Sequence, residues 1–382
     1  MKIFRTLSTR SLIVLIVAVV AVVIGGTVAV TARGGSGSTP PPKPLDQAIH
    51  DALSASEPAG VTARIAFTNK LFPSGALTGQ AGSALLTGAT GRLWVNPSGG
   101  RLELQSDAGD AQITWNDSKV TVYDASSNTA YVADLPASKD SGTTKSPPSL
   151  DEITKFLTGA AKDWTISGAD PSNVAGQQAY TVSVSPSHDG GLLGKAQLAW
   201  DAMNGVPLRV AVYAQGSSSP VLSLVATDIS FGSVPDSDVQ VSPPAGTKMV
   251  DVSTQGTQHG NGKTPPVTGL AAVQAAAPFT VVAPDSLVGL PRQDVRLIGG
   301  KTVLVVYGQG LGAIVVVERA ADTAAGPGAL SALPTVSLDG VSAHELDTQL
   351  GTALEWSNGG VSYVLAGSVP PAAAEAAARA LK

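Results

Sequence analysis

Four histidines are the side chains in this sequence best suited to acid–base or metal chemistry, and they are widely separated. They are His50, His188, His259 and His344, and none lies three or four residues from another. A metal site recognised from spacing needs such pairs, and a Ser-His-Asp triad needs a geometry that spacing does not show. No G-x-S-x-G segment surrounds any serine. We therefore predict no catalytic residue, no metal site and no cofactor, and interpret the protein as a non-enzyme.

Two glycine-containing segments are superficially similar to phosphate-binding loops. Gly308, Gly310 and Gly312 have the spacing G-x-G-x-G, and the strand-like residues 314–317 follow them. A dinucleotide fingerprint needs a helix at that place, because the amides of its first turn hold the pyrophosphate. The Gly-Lys pair at 194–195 lacks both the first glycine and the Ser or Thr of a P-loop. We interpret the glycines at 308–312 as a hairpin turn.

Composition narrows the class of protein. Of the 382 residues, 43% are apolar and only 14% are charged, while 42 are Gly and 26 are Pro. This favours a folded chain of short strands and tight turns over a disordered one. Residues 33–382 carry 21 basic and 29 acidic side chains, a net charge of −8, which argues against nucleic acid as a partner. There is no cysteine, so disulfides, thiolate catalysis and an acylated N-terminal Cys are excluded.

The N-terminal 32 residues predict export. Three basic residues precede an uncharged stretch at 11–32, whose centre at 12–24 is apolar without interruption. About twenty such residues are long enough to cross a bilayer, so residues 1–32 are interpreted as a transmembrane helix and anchor. The alternative is a signal segment cleaved near Ala32, which would give a secreted or periplasmic protein. The basic residues place the N-terminus in the cytoplasm and the body outside the cytoplasmic membrane.

Two exported domains are predicted beyond this segment. Residues 33–44 form a linker in which nine of twelve residues are Gly, Ser or Pro. A first domain at 45–245 is followed by a connector at 246–278 and by a small α+β domain at 279–382.

Strands that alternate with period two dominate the first domain, and they predict an antiparallel meander. They lie at 61–67, 91–95, 101–105, 111–115, 119–123, 129–135, 179–185, 195–200, 206–214 and 221–231. Helices are predicted at about 44–57 and 150–162, the second with a capping box of Ser149 and Glu152 after a polar loop at 136–149. In the second domain we predict strand pairs 301–308/313–320 and 352–356/361–367, and a terminal helix that opens at Pro370-Pro371.

One face of the meander is apolar, and two interpretations of it remain open. It is either an ordinary core or the wall of a cavity for acyl chains, which the 150–162 helix would cover as a lid. The candidate cavity residues are Leu93, Val95, Leu102, Leu104, Ile113, Trp115, Val120, Val122, Tyr131, Leu198, Trp200, Val210, Val212, Leu222 and Leu224, with Phe156 and Leu157 on the lid.

Several segments in succession resemble the LolA-like superfamily. These are the hairpins at 91–136, the helix SLDEITKFL, the segment AGQQAYTVSVSP at 175–186 and LAWDAMNGVPLRVAVY at 198–213. The last is similar to a family hairpin with Asp201, Pro207 and Arg209 at matching places, and the closing strand with its SPPAG tail also corresponds. The resemblance implies an α+β fold in which a curved, unclosed antiparallel β-sheet (a half-barrel) surrounds an apolar cavity plugged by helices. It also implies binding or carriage of lipids or lipoproteins in the bacterial envelope.

The C-terminal part resembles the small second domain of RseB/MucB-type regulators. The similar segments are VLVVYGQGLGAIVVVERA and ALEWSNGGVSYVLAGSVPPAAAEAAARAL. The two resemblances imply two possible functions. The first is a membrane-anchored, non-enzymatic carrier that binds lipid or lipoprotein acyl chains. The alternative is an RseB-like extracytoplasmic regulator that binds an anti-sigma factor or another membrane protein.

Overall fold

The computed structural model describes most of the two predicted domains. It covers residues 38–56, 58–71, 84–135, 147–252, 266–321, 330–331 and 333–381. The predicted anchor at 1–32 and the first part of the linker lie outside the described residues, as do residues 136–146 of the polar loop. Within the described part of the chain, no helix has both the length and the apolar character needed to span a membrane.

Thirteen strands form the sheet of the first domain. They are β1 (Val61–Asn69), β2 (Ala89–Asn96), β3 (Gly99–Ser106), β4 (Gly109–Trp115), β5 (Lys119–Asp124), β6 (Thr129–Asp134), β7 (Trp164–Ile166), β8 (Asp170–Val174), β9 (Gln177–Pro186), β10 (Leu193–Asp201), β11 (Pro207–Ala214), β12 (Leu222–Phe231) and β13 (Lys248–Asp251). Their order is β13-β6-β5-β4-β3-β2-β1-β12-β11-β10-β9-β7, and β8 pairs with β9. The two ends of this order are different strands that are not neighbours, so the sheet is unclosed.

All ten strands predicted for this domain are present, and the antiparallel meander is confirmed. β1 joins the two halves, because it pairs with β2 on one side and with β12 on the other. Three strands were not predicted. β7 and β8 are short, and β13 lies in a segment rich in Pro and Ser and pairs with β6 in parallel.

Within the described residues, four helices accompany this sheet. They are α1 (Leu45–Ser54), α2 (Ala84–Thr87), α3 (Leu150–Ala160) and α4 (Asp236–Val239). The predicted capping box of α3 is confirmed: the Ser149 hydroxyl accepts from the Glu152 N–H at 3.3 Å, and the Glu152 carboxylate accepts from the Ser149 N–H at 2.9 Å. Both long helices end earlier than predicted, at Ser54 and Ala160.

A second sheet of nine strands forms the C-terminal domain. Its strands are β14 (Val267–Thr268), β15 (Ser286–Leu287), β16 (Leu290–Ile298), β17 (Thr302–Tyr307), β18 (Ile314–Ala320), β19 (Thr335–Leu338), β20 (Val341–Thr348), β21 (Gly351–Asn358) and β22 (Val361–Gly367). Its order is β14-β16-β17-β18-β22-β21-β20-β19, with β15 on β16. Helices α5 (Leu270–Ala276) and α6 (Pro371–Arg379) pack on it through Val273, Ala374, Ala377 and Ala378. Both predicted strand pairs and the terminal helix are confirmed.

The predicted connector contributes structure to both domains. Its residues 248–251 form β13 of the first sheet, and its residues 267–276 form β14 and α5 of the second domain. Of the stretch between them, residues 253–265 lie outside the described part of the chain.

Hydrogen bonds join the two domains where loops of each meet. The Gly312 N–H donates to the Asp189 carbonyl at 2.7 Å, and the Leu192 N–H donates to the Ser368 hydroxyl at 2.9 Å. At a second place, the Gln349 amide donates to the Lys70 carbonyl at 3.0 Å.

Candidate functional site

The register of the sheet places the candidate cavity residues in rows across one face. Directly paired residues of neighbouring strands point to the same side of a sheet. In the first half of the sheet, one row consists of Tyr131, Val122, Ile113, Leu102 and Leu93, and a second consists of Val120 and Trp115. In the second half, one row consists of Leu224, Val210 and Leu198, and another consists of Val212 and Leu222. The register thus groups these residues across the strands, but they are not covered in the same way along the sheet.

A cavity of about 510 Å³ lies between α1 and the part of this face formed by β1, β2 and β10–β12. Six of the candidate residues line it, namely Leu93, Val95, Leu198, Trp200, Val210 and Leu224. The rest of the lining is also mainly apolar and includes Ala63, Ile65, Val182, Val206 and Ile229. This volume is within the range of protein sites for small ligands, about 300–1,000 Å³. Its lining favours an apolar ligand.

The other strand candidates lie outside the cavity lining. Leu102, Leu104, Ile113 and Val120 are buried in the core of the first half of the sheet, where α2 contacts β3 and β4. Trp115 and Val122 pack against that core, Val212 and Leu222 are half-buried, and Tyr131 is 44% exposed. Both interpretations of the apolar face thus apply: the candidates on β3–β5 belong to a core, and six candidates on β2 and β10–β12 line a cavity.

The helix at the cavity is α1, whereas the sequence predicted α3 as its lid. Ile49, Ala52 and Leu53 of α1 line the cavity. Neither Phe156 nor Leu157 does so. Phe156 is 68% exposed, because α3 is packed against α1 and turns Ile153 inward. The apolar stripe of α1 was visible in the sequence, but its spacing does not show which of two amphipathic helices covers the sheet.

A tight turn between β10 and β11 fixes α1 over the cavity. The Asp201 carboxylate, 3% exposed, accepts hydrogen bonds from the N–H groups of Met203 (2.9 Å) and Asn204 (3.0 Å). Burial raises the pKa of Asp201, and these two bonds oppose the rise. Gly205 has φ +71°, and a Cβ there would lie 2.4 Å from the Ala52 carbonyl oxygen of α1. The turn therefore needs glycine both for its backbone conformation and for the close approach of the helix.

The segment before α1 is held on β8 and β9. The Gln178 amide donates to the Ser38 hydroxyl at 2.7 Å, and the Tyr180 hydroxyl donates to the Pro41 carbonyl at 2.7 Å. Lys43 pairs with Asp51 at 2.5 Å, and this hydrogen bond holds the pKa of the Asp51 carboxyl below its usual value. The chain is therefore tied to the body of the domain from Ser38 onward.

The described histidines have separate local partners. His50 contacts the Ser54 hydroxyl at 3.1 Å, His344 contacts the Leu333 carbonyl at 3.0 Å, and His188 lies 3.1 Å from Asp189 and 3.7 Å from Asp163. His259 lies outside the described residues. Among those residues, no group of three or more His, Asp or Glu side chains could hold a metal ion.

The two glycine-containing segments also have structural roles. Residues 308–312 connect the paired strands β17 and β18, as the hairpin interpretation predicted. Lys195 lies on β10, where its ammonium group is 4.8 Å from the centroid of the Tyr213 ring.

Comparison with known proteins returns only distant structural similarity. No family model matches the chain, and no curated protein matches it. A solved structure of the MucA/MucB complex of Pseudomonas aeruginosa is similar at 14% identity and a TM-score of 0.40, covering 87% of this chain and 94% of that one. An uncharacterized conserved protein of Thermus thermophilus is similar over 54% of this chain and 96% of its own, at 10% identity and a TM-score of 0.32.

A domain of a putative outer membrane lipoprotein-sorting protein of Vibrio parahaemolyticus is similar over 52% of this chain and 96% of its own. The identity is 12% and the TM-score is 0.23. A MucA/MucB complex and a lipoprotein-sorting domain are thus among the solved structures to which this chain is similar.

Proposed function

We propose that this chain is a non-enzymatic binding protein of the bacterial envelope whose cavity takes up acyl chains of lipids or lipoproteins. The observation that carries the proposal is the 510 Å³ cavity between α1 and the strands β10–β12, with its mainly apolar lining. A hydrocarbon chain is the ligand that such a lining binds without leaving polar groups unpaired.

Burial of methylene groups supplies the affinity. Each methylene moved out of water contributes about 0.8 kcal/mol, so about ten buried methylenes contribute roughly 8 kcal/mol, which corresponds to micromolar binding. No catalytic group is needed for this, since the ligand is held and released unchanged. The mechanism is therefore transfer of apolar surface from water or membrane into the cavity.

The proposed location is the outer side of the cytoplasmic membrane. The apolar stretch at 11–32 supports an anchor, and the basic residues before it support a cytoplasmic N-terminus. An anchored protein of this kind would pass its ligand on at the membrane surface.

A pair of variants on β11 tests the cavity. Val210 and Val212 lie on the same face of the same strand and are both half-buried, but only Val210 lines the cavity. We expect Val210→Trp to fill the cavity and weaken binding of a fluorescent fatty acid to residues 33–382 by at least about tenfold, the equivalent of two excluded methylenes. Val212→Trp should leave the affinity nearly unchanged.

The outcomes separate the two possible functions. An acyl-chain site in this cavity would be contradicted if both variants bound fatty acid with the affinity of the unaltered protein. It would also be contradicted if the unaltered protein bound no fatty acid. If residues 33–382 instead retain one stoichiometric membrane protein and bind no fatty acid, the RseB-like regulator is the better interpretation. Native mass spectrometry of detergent-free protein provides an independent measure of copurifying lipid.

A further inference from the structure

We propose that the surface carrying Met203 and Leu53, at the mouth of the cavity, rests on the lipid bilayer. The proposal concerns the orientation of the domain, and it rests on the proposed membrane anchor at 1–32. The bilayer is identified as the occupant of this surface from the attachment of Ser38 to the domain and its short distance in sequence from the apolar stretch.

Ser38 is attached to the first domain by two hydrogen bonds. The Gln178 amide donates to the Ser38 hydroxyl at 2.7 Å, and the Asn173 amide donates to the Ser38 carbonyl at 3.3 Å. Asn173 and Gln178 lie opposite each other on the paired strands β8 and β9. If the N-terminal segment is anchored in the membrane, it therefore holds the domain at the edge of the sheet formed by β8 and β9.

The distance between this point and the apolar stretch is short. Only residues 33–37 separate Ala32, the last residue of the uncharged stretch, from Ser38. A fully extended chain spans at most about 3.3–3.6 Å per residue, so Ser38 lies within about 20 Å of the end of that stretch. The linker predicted from sequence had twelve residues, but the part from Ser38 onward is bound to the domain and adds no reach.

Met203 lies next to this point. The Ala202 N–H donates to the carbonyl of Gln178 at 2.8 Å, which places the turn of Met203 beside the residue that holds Ser38. Met203 is 64% exposed. On the other side of the turn, Gly205 contacts the carbonyl of Ala52, the neighbour of Leu53 in α1.

Leu53 connects this surface to the cavity. It is 54% exposed and also lines the cavity, as does Leu198, which is 37% exposed. Single exposed apolar residues are common on proteins and indicate nothing by themselves. Here Leu53 is part of the cavity lining, and Met203 lies in the turn that contacts the neighbouring Ala52 and that is bonded to Gln178, the residue that holds Ser38.

Three charged residues near this surface are paired or buried. Lys43 and Asp51 neutralise each other at 2.5 Å, and Asp201 is buried in its turn. A cavity that opens onto the bilayer would let an acyl chain enter without crossing water. That route avoids the cost of exposing each methylene to solvent.

Two single-cysteine proteins test the orientation in the full chain, which has no cysteine of its own. Met203→Cys and Met249→Cys each carry a fluorescent label. Met249 is the matched control, because it is 56% exposed on β13 and lies at the opposite end of the strand order from β9. Each protein is reconstituted into phosphatidylethanolamine/phosphatidylglycerol vesicles that contain a brominated lipid as a quencher.

We expect the bromolipid to quench the label at position 203 several-fold more strongly than the label at position 249. Equal quenching at both positions, no quenching at position 203, or a full chain that does not float with the vesicles would overturn the proposal. Fatty-acid binding by residues 33–382 is measured separately. If the label at position 203 is strongly quenched but no fatty acid binds, the acyl-chain function is refuted and the orientation stands. If fatty acid binds but the label at position 203 is not quenched, the orientation is refuted and the acyl-chain function stands.

Discussion

The buried carboxyl group of Glu318 should make the C-terminal domain less stable as the pH rises. Glu318 lies on β18 and has no exposed surface. One carboxylate oxygen accepts from the Val282 N–H at 3.1 Å, and the other has no hydrogen-bond partner among the described residues. Burial raises the pKa of Glu318 to about 7, and the bond from Val282 only partly opposes this.

The magnitude follows from the difference between the folded and unfolded chain. The pKa of Glu318 is about 7 in the folded domain against a reference value of 4.5, so the folded state holds the proton more tightly. Its contribution to the free energy of unfolding is fully present below the lower pKa and is lost as the pH rises through the upper one. At 1.36 kcal/mol for each unit, the loss is about 3 kcal/mol between about pH 4.5 and pH 8.

Glu318→Gln should remove this component of the pH dependence, because the amide does not titrate. Trp356 is the single tryptophan at 266–381 and stacks on Tyr363 with ring centroids 5.0 Å apart, and Tyr363 is paired with Glu318. The ¹⁹F resonance of fluorotryptophan at 356 therefore reports unfolding of this domain in urea. If the free energy of unfolding of the two proteins changes with pH in the same way from about pH 5 to 8, the role of Glu318 is refuted. It is also refuted if the wild-type protein becomes more stable relative to the variant as the pH rises over this interval.

Three further substitutions test local features of the first domain. Gly100→Ala should destabilise the protein by about 1–3 kcal/mol, because a Cβ would lie 2.0 Å from the indole ring of Trp115. Gly232→Ala, where nothing lies within 4 Å, is its control, and a similar loss in both by urea denaturation would contradict the packing argument. Gly159→Ala, in the last turn of α3 where nothing lies within 4 Å of an added Cβ, should stabilise by about 0.5 kcal/mol, seen as a higher urea midpoint. Ser149→Ala should cost about 1 kcal/mol through loss of the capping box, and an unchanged midpoint would show that this helix end does not contribute.

Local patterns predicted most of the elements. The strands of the meander follow from period-two alternation, and the start of α3 follows from a Ser and a Glu three residues apart. These signals act between residues close in sequence. The joining of the two halves through β1 and β12, and the parallel pairing of β13 with β6, depend on residues far apart and could not be derived in that way.

The cavity was only partly predictable for the same reason. Ile113 and Val210 show the same alternation, but Ile113 is covered and buried, whereas Val210 lines open space under α1. Alternation shows which side of a strand is apolar. It does not show what lies above that side, because that depends on where separate helices pack.

The pairing of β1 with β12 also sets a time order on folding. Val61 pairs with Phe231, 170 residues later. The hairpins of β2–β6 can form as they emerge, but one edge of β1 lacks its partner until β12 arrives. At about 5–20 residues per second, that delay lasts about 10–30 s of synthesis. During this time a half-sheet with an apolar face and an open edge can recruit strands of other chains, so aggregation is most favoured before residue 231 has been synthesised.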